Sequence, residues 1–188
     1  MSDRKQQLLD AAIRDLLSHG VADVSLRPLA ARIGTSARLL IFHFKSKHGL
    51  LNDVLGEVQA RLQATALALP PPGAGGGTSP LKMFWRWATH QDNLPYLRLL
   101  YEVHFIALQN PRVYGRYLQQ TSISWVEIIE QRLSPAIRSK AMATLCGAVF
   151  DGLIIELMGS KDLRRTSRAL DEFIAMLARA SASRRGLP

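Results

Sequence analysis

Gly34 stands between two apolar stripes that are each too short to fold alone. Leu29 and Ile33 precede it, and Leu40 and Phe44 follow it. Isolated helices of one or two turns are unstable in water, so these two segments must pack against each other and against a third partner. Ser25 and Ser36 can cap their starts, and Pro28 falls in the first turn of the earlier one, where a missing N–H costs little. Ala30 is small where a crossing helix would pass, and Gly34 can take the positive φ of a tight turn. The third partner lies upstream, where Leu9, Ile13, Leu16 and Leu17 make one helical stripe and Gly20 supplies its C-terminal cap. Three short helices with a tight turn between the last two follow the logic of a helix-turn-helix.

The rest of the chain also reads as helical. Ser46 can cap a helix carrying Leu50, Leu51, Val54, Leu55, Val58 and Leu62 at helical spacing. Residues 70–80, Pro-Pro-Pro-Gly-Ala-Gly-Gly-Gly-Thr-Ser-Pro, are expected to form a flexible linker. Helical patterns resume at about 81–91, 94–109, 111–132, 137–158 and 163–181, and there is no sustained strand alternation. The expected class is all-α, with an N-terminal three-helix helix-turn-helix DNA-binding domain at 1–46 and a C-terminal helical domain at 47–188. Residues 47–68 of the latter are expected to be a connecting helix.

Charge is placed unevenly. Residues 1–50 hold eight Lys and Arg against four Asp, residues 51–159 nine basic against eight acidic, and residues 160–188 seven against three. A basic excess suits DNA, RNA or anionic lipid alike. The second helix of the tight pair presents Thr35, Ser36, Ala37, Arg38, Leu39, Phe42 and His43. Arg38 is the long donor fork of that group and suits guanine O6 and N7. His43 fits either a phosphate contact or a packing role, and Lys45 and Arg32 fit either solvent or DNA.

Cys146 is the sole cysteine, which excludes an intrachain disulfide and Cys-rich zinc sites. No metal, cofactor or catalytic cluster is expected: His90, Glu102 and His104 lack a ligand spacing, and no nucleophile elbow or paired carboxylates occur. The N-terminus has no signal-peptide pattern, and the longest apolar run, Ala141–Phe150, ends at Asp151, short of the roughly 18 residues of a membrane span. A cytoplasmic protein without a membrane partner is expected.

From about Arg4 to Leu55 the chain resembles the DNA-binding domain of the tetracycline-repressor (TetR) family of bacterial regulators. The residues that carry the likeness are Ala11-Ala12, Leu16, Gly20, Ser25, Leu29-Ala30, Gly34, Ser36, Leu40, His43-Phe44-Lys45-Ser46-Lys47 and Leu50-Leu51, without a gap from Ser25. The resemblance implies that Ser25 and Arg27 abut the DNA backbone, that Thr35 to Leu39 enter the major groove and that Lys47 meets a phosphate. One place departs from the family: where it often has a phosphate-touching Tyr, this chain has Ile41, followed by Phe42, and neither has a hydroxyl.

The resemblance further implies a homodimeric transcriptional regulator, by default a repressor, released from a palindromic double-stranded DNA operator by a small, partly apolar effector. It implies a ligand-binding and dimerisation role for the helical domain at 47–188. The implied pocket draws on Trp85, Tyr101, His104, Phe105, Trp125, Phe150 and Asp151. The implied dimer interface draws on small residues, Ala143, Gly147 and Gly152, and on the stripe Leu170, Phe173, Ile174 and Leu177. By pattern alone, those residues serve packing within one chain equally well. Two other readings stay open: a small all-helical enzyme or ligand-binding protein with incidental DNA affinity, and a DNA-binding protein without an effector.

Overall fold

The computed structural model describes residues 3–21, 24–69 and 79–185, with the side chains of 116–117, 119–123 and 184–185 excepted. The regular elements in these residues are helices. They are α1 (Asp3–His19), α2 (Leu26–Arg32), α3 (Ala37–Phe44), α4 (Lys47–Ala68), α5 (Pro80–Ala88), α6 (Leu94–Gln109), α7 (Pro111–Arg132), α8 (Lys140–Ser160) and α9 (Leu163–Arg185), with a 3-10 turn at Pro135–Ile137. The all-α expectation holds. The expected linker lies at 70–78, outside the described residues, and Ser79 and Pro80 open α5.

Packing divides the chain into two compact units, Met1–Leu62 with Pro95–Thr121, and Gln63–Leu94 with Ser122–Pro188. The expected division after residue 46 follows the DNA-binding motif. By packing, α4 as far as Leu62 and residues 95–121 go with the first three helices.

In the first unit, Leu9, Ile13 and Leu16 of α1 are buried with Leu29 of α2, Leu40 of α3 and Leu50 of α4. Fully burying such a side chain contributes about 1.5–3 kcal/mol, which is how helices as short as α2 and α3 persist. Gly34 has φ +69, Thr35 N–H donates to the Ala30 carbonyl at 2.9 Å and Gly34 N–H to that of Ala31 at 3.3 Å. That pairing is a Schellman closure of α2, and it sets the tight turn into α3. Ser36 then caps α3, accepting the Leu39 N–H at 3.2 Å. Ser25 occupies the N-cap position of α2 but makes no side-chain cap bond, which leaves its hydroxyl for another partner.

The second unit is built on α5, α8, α9 and the end of α7. Leu133, Ile137, Ala143 and Cys146 form a buried cluster against which Val126, Ile129, Met142, Phe173, Leu177 and Ala180 pack. Burial pushes the Cys146 thiol up to about 11, the behaviour of an inert core cysteine. Trp85 donates its indole N–H to Ser167 Oγ at 2.9 Å, and Lys82 pairs with Asp171 at 2.5 Å. Arg132 donates to the carbonyls of Leu67 and Leu69, closing the end of α4.

The residues implied at a dimer interface differ in their burial within the chain. Ala143 and Leu170 are fully buried inside the chain, and Phe173 and Leu177 face its own core. Gly147 lies under Ile129, and Ile174 is half-buried. Of the seven, Gly152 alone is exposed, with open space where a side chain would stand.

α8 also departs from the reading that no segment is apolar enough to span a membrane. By length and composition it is, with a mean hydropathy of 1.7 over eighteen residues, of which 28% are buried. Asp151 interrupts the apolar run, yet the helix continues through Leu153, Ile154, Ile155 and Leu157. Its outward side carries Leu145, Ala148, Gly152, Ile155 and Gly159, with Met176 exposed on α9.

Candidate nucleic-acid interface

α2 and α3 meet α1 through a buried core, so their remaining sides face outward. A groove runs between the start of α2 and the side of α3. It is lined by Val24, Ser25, Leu26 and Arg27 at the start of α2, by Ala37 and Ile41 of α3, and by Lys47 at the start of α4. Four of the ten expected DNA-contacting residues, Ser25, Arg27, Ala37 and Lys47, therefore share one concave surface. Its hydroxyl, guanidinium and ammonium are the donor types that hold phosphate oxygens.

The other expected residues are on or beside α3. Arg38 is exposed, Leu39 and Thr35 are half-buried, and Ser36 is exposed with its Oγ engaged in the cap. Phe42 is 68% exposed. His43 is half-buried, edge-on to Phe42 at 5.0 Å and tilted against Phe44 at 6.4 Å. Phe44 is buried with Lys5 Nζ 5.4 Å from its ring centre.

Two basic residues with an undecided role receive distinct positions. Arg32 makes a two-point bond to Asp15, Nε at 2.8 Å and Nη2 at 2.7 Å, and so ties α2 to α1. The guanidinium beside Asp15 holds that carboxyl below its ordinary value. Lys45 ends α3 at φ +67, donates to the Phe42 carbonyl at 3.0 Å and lies 5.6 Å from the Phe42 ring centre.

The residues expected at an effector site fall in both units. Trp85 is buried with its N–H committed to Ser167, and Phe150 is buried at its edge, with ring centres 5.8 Å apart. Phe84, which the sequence reading passed over, is the hub of the cluster. It stacks on Trp87 at 5.5 Å and 21°, and meets Phe150 at 5.1 Å and Trp125 at 6.0 Å. The i, i+3 spacing of Phe84 and Trp87 on α5 was the signal for this pair. Asp151 is exposed on α8. Tyr101 and His104 are half-buried and Phe105 is 51% exposed, all three in the first unit. Among the described residues, no three His, Cys, Asp or Glu side chains converge as metal ligands.

A three-helix headpiece whose third helix exposes one side beside a groove lined by Arg27 and Lys47 is a helix-turn-helix DNA-binding domain. Residues 8–54 match the model of the bacterial regulatory proteins of the tetR family. The transcriptional regulator BetI of Cronobacter sakazakii is 31% identical over 75 residues, 40% of this chain and 37% of that protein. BetI of Escherichia coli (strain K12 / DH10B) is 30% identical over 77 residues, 39% of this chain and 40% of that protein. The chain thus spans about two fifths of the length of these relatives.

Solved structures share the fold over nearly the whole chain. A TetR family member of Streptomyces coelicolor A3 has a TM-score of 0.70 at 24% identity, covering 95% of this chain and 98% of that one. The multidrug binding protein EbrR complexed with ethidium has a TM-score of 0.70 at 22% identity, covering 90% and 98%.

Proposed function

We propose that the chain is a homodimeric transcriptional regulator that sets α3 of each protomer in successive major grooves of a palindromic operator, about 34–36 Å apart. The groove joining Ser25, Arg27, Ala37 and Lys47 beside exposed Arg38 carries the reading. In this reading Ser25, Arg27 and Lys47 hold phosphates and fix register, while Arg38 reads a guanine edge.

A two-fold pairing is supported by the outward face of α8. Leu145 and Ile155 are 48% and 44% exposed, and the intervening Ala148 and Gly152 allow a second helix to approach closely. A second copy of the same face, with Met176 of α9 at its side, completes a four-helix contact.

For the effector, the aromatic cluster in which Phe84 stacks on Trp87 and tilts against Trp125 and Phe150 suits a flat, partly apolar molecule. Ethidium, the ligand in the EbrR structure, is such a molecule. An effector releases the operator only by differential affinity for two dimer shapes, and repression relieved by ligand is the default outcome.

Selection of duplexes from a random pool by the full chain tests the reading. It expects an inverted repeat and an affinity that falls steeply with salt. Enrichment of no sequence would refute it. Titration of the free protein with ethidium, followed by tryptophan fluorescence, tests the effector class. All three tryptophans lie in this region, so binding there quenches, and an unchanged spectrum removes flat cations of this kind.

A further inference from the structure

Arg38, Ile41 and Phe42 stand at i, i+3 and i+4 on one side of α3, Lys45 follows at its C-terminal cap, and all four are exposed. The two in the middle are large and apolar, Ile41 at 49% and Phe42 at 68% exposure. Ile41 flanks the groove that also holds Arg27 and Lys47. Phe42 touches the ring of its neighbour His43 and lies under Lys45 Nζ. An apolar pair framed by cations repels a basic surface and attracts a polyanion. What it needs is an apolar group set among negative charges.

Duplex DNA offers one such group at the major-groove edge, the 5-methyl of thymine. Neither Ile41 nor Phe42 has a donor for a phosphate, so a backbone hydrogen bond is not open to them. Three to four residues of helix advance about 4.5–6 Å, which spans about one to two base-pair steps of B-DNA. Resting on the proposed operator binding, we infer that Ile41 and Phe42 read thymine methyl groups, one or two steps from the base pair engaged by Arg38. Each half-site then carries thymine there.

The test uses duplexes enriched by the full chain, resynthesised with deoxyuridine in place of thymidine at one position at a time. That change removes the methyl and leaves base pairing intact. At one or two positions per half-site, uracil weakens wild-type binding about three- to fivefold, the effect of one apolar carbon group returned to water. Ile41→Ala or Phe42→Ala, both at exposed positions, binds the thymine and uracil forms alike and keeps the salt slope. If no uracil substitution weakens binding, the methyl contact is refuted while operator binding stands. If the uracil effect persists unchanged in both alanine variants, another residue reads the methyl and the assignment to Ile41 and Phe42 falls. Enrichment of no duplex would instead bring down the operator reading, and this inference with it.

Discussion

Glu102, on α6, accepts the backbone N–H of Val21 at 3.2 Å across 81 residues of sequence. Gly20 has just ended α1 at φ +74, so the next N–H has lost its helical partner. Arg98, one turn earlier on α6, donates to the Leu17 carbonyl at 2.7 Å and lies 3.5 Å from Glu102. One helix therefore answers both a donor and an acceptor at the end of α1. Glu102→Ala is expected to lower stability by about 1 kcal/mol, a fall of roughly 2–4 °C in melting temperature. Glu102→Gln, which keeps an acceptor, should recover most of it. Calorimetry of the three proteins decides, and equal melting temperatures would mean that solvent serves Val21 equally well.

The Asp15–Arg32 pair makes a prediction in pH. The hydrogen bond from Arg32 holds the Asp15 carboxyl below its ordinary value, so its folded pKa lies under its unfolded one, near 3.9. The stability this contributes is complete above the unfolded value and is lost as pH falls through the lowered folded value. Asp15→Asn should melt a few degrees at most below wild type at pH 7, since the Arg32 side chain is 36% exposed. The gap should close only below about pH 4. Urea melts from pH 7 to 2 measure it, and a gap that closes nearer pH 6 would assign it to another group.

Base reading and phosphate holding separate cleanly by mutation. Arg38→Ala should lose about 1–3 kcal/mol of discrimination at one base pair per half-site. Lys47→Ala should weaken all duplexes alike and reduce the salt slope by about one. Fluorescence anisotropy on the selected duplex and its point variants distinguishes them. A uniform loss for Arg38→Ala, or an unchanged slope for Lys47→Ala, would exchange or cancel these roles.

The headpiece was legible because its signals are local. Ser36 caps α3 through a bond three residues long, and Gly34 closes α2 over five. Where the ends of helices moved, a short-range competitor was responsible. α5 stops at Ala88 because Thr89 bonds back to Trp85 and Asn93 to Trp87, and α8 waits for the Ser139 cap while Pro135–Ile137 turns as 3-10. Arg32 could not be assigned without its partner, Asp15, 17 residues away on another helix. On α8 the failure has a different cause. The helix is apolar on most of its circumference, so periodicity does not say which side is inside, and small residues such as Ala143 looked available although they are buried.

Tyr114 is fully buried on α7, and its hydroxyl has no hydrogen-bond partner among the described residues. The His48 ring meets it edge-on at 5.8 Å, and burial pushes the phenol up from its ordinary value. A buried hydroxyl left unpaired costs free energy, so removing it should cost none. Tyr114→Phe is expected to hold or raise stability, by up to about 1 kcal/mol. Urea denaturation measures the difference. A loss of stability would show that the hydroxyl has a partner in solution.

In the proposed dimer, the outward face of α8 separates pairing from folding. Leu145 and Ile155 are half-exposed two to three turns apart, with Gly152 between them, whereas Ala143 and Leu170 are fully buried in the chain's own core. Replacing both Leu145 and Ile155 with Glu puts four charges into a two-fold contact and none into the core. The expected result is a mass of 20.9 kDa by light scattering in place of twice that value, with little change in helical content. Operator affinity should fall because two half-sites no longer bind as one, while a single half-site is still bound weakly. Leu170→Ala should behave oppositely, losing about 2–5 kcal/mol of stability as a cavity opens in the core, without a specific shift to monomer. A Leu145→Glu, Ile155→Glu protein that keeps the wild-type mass would place the pairing surface elsewhere.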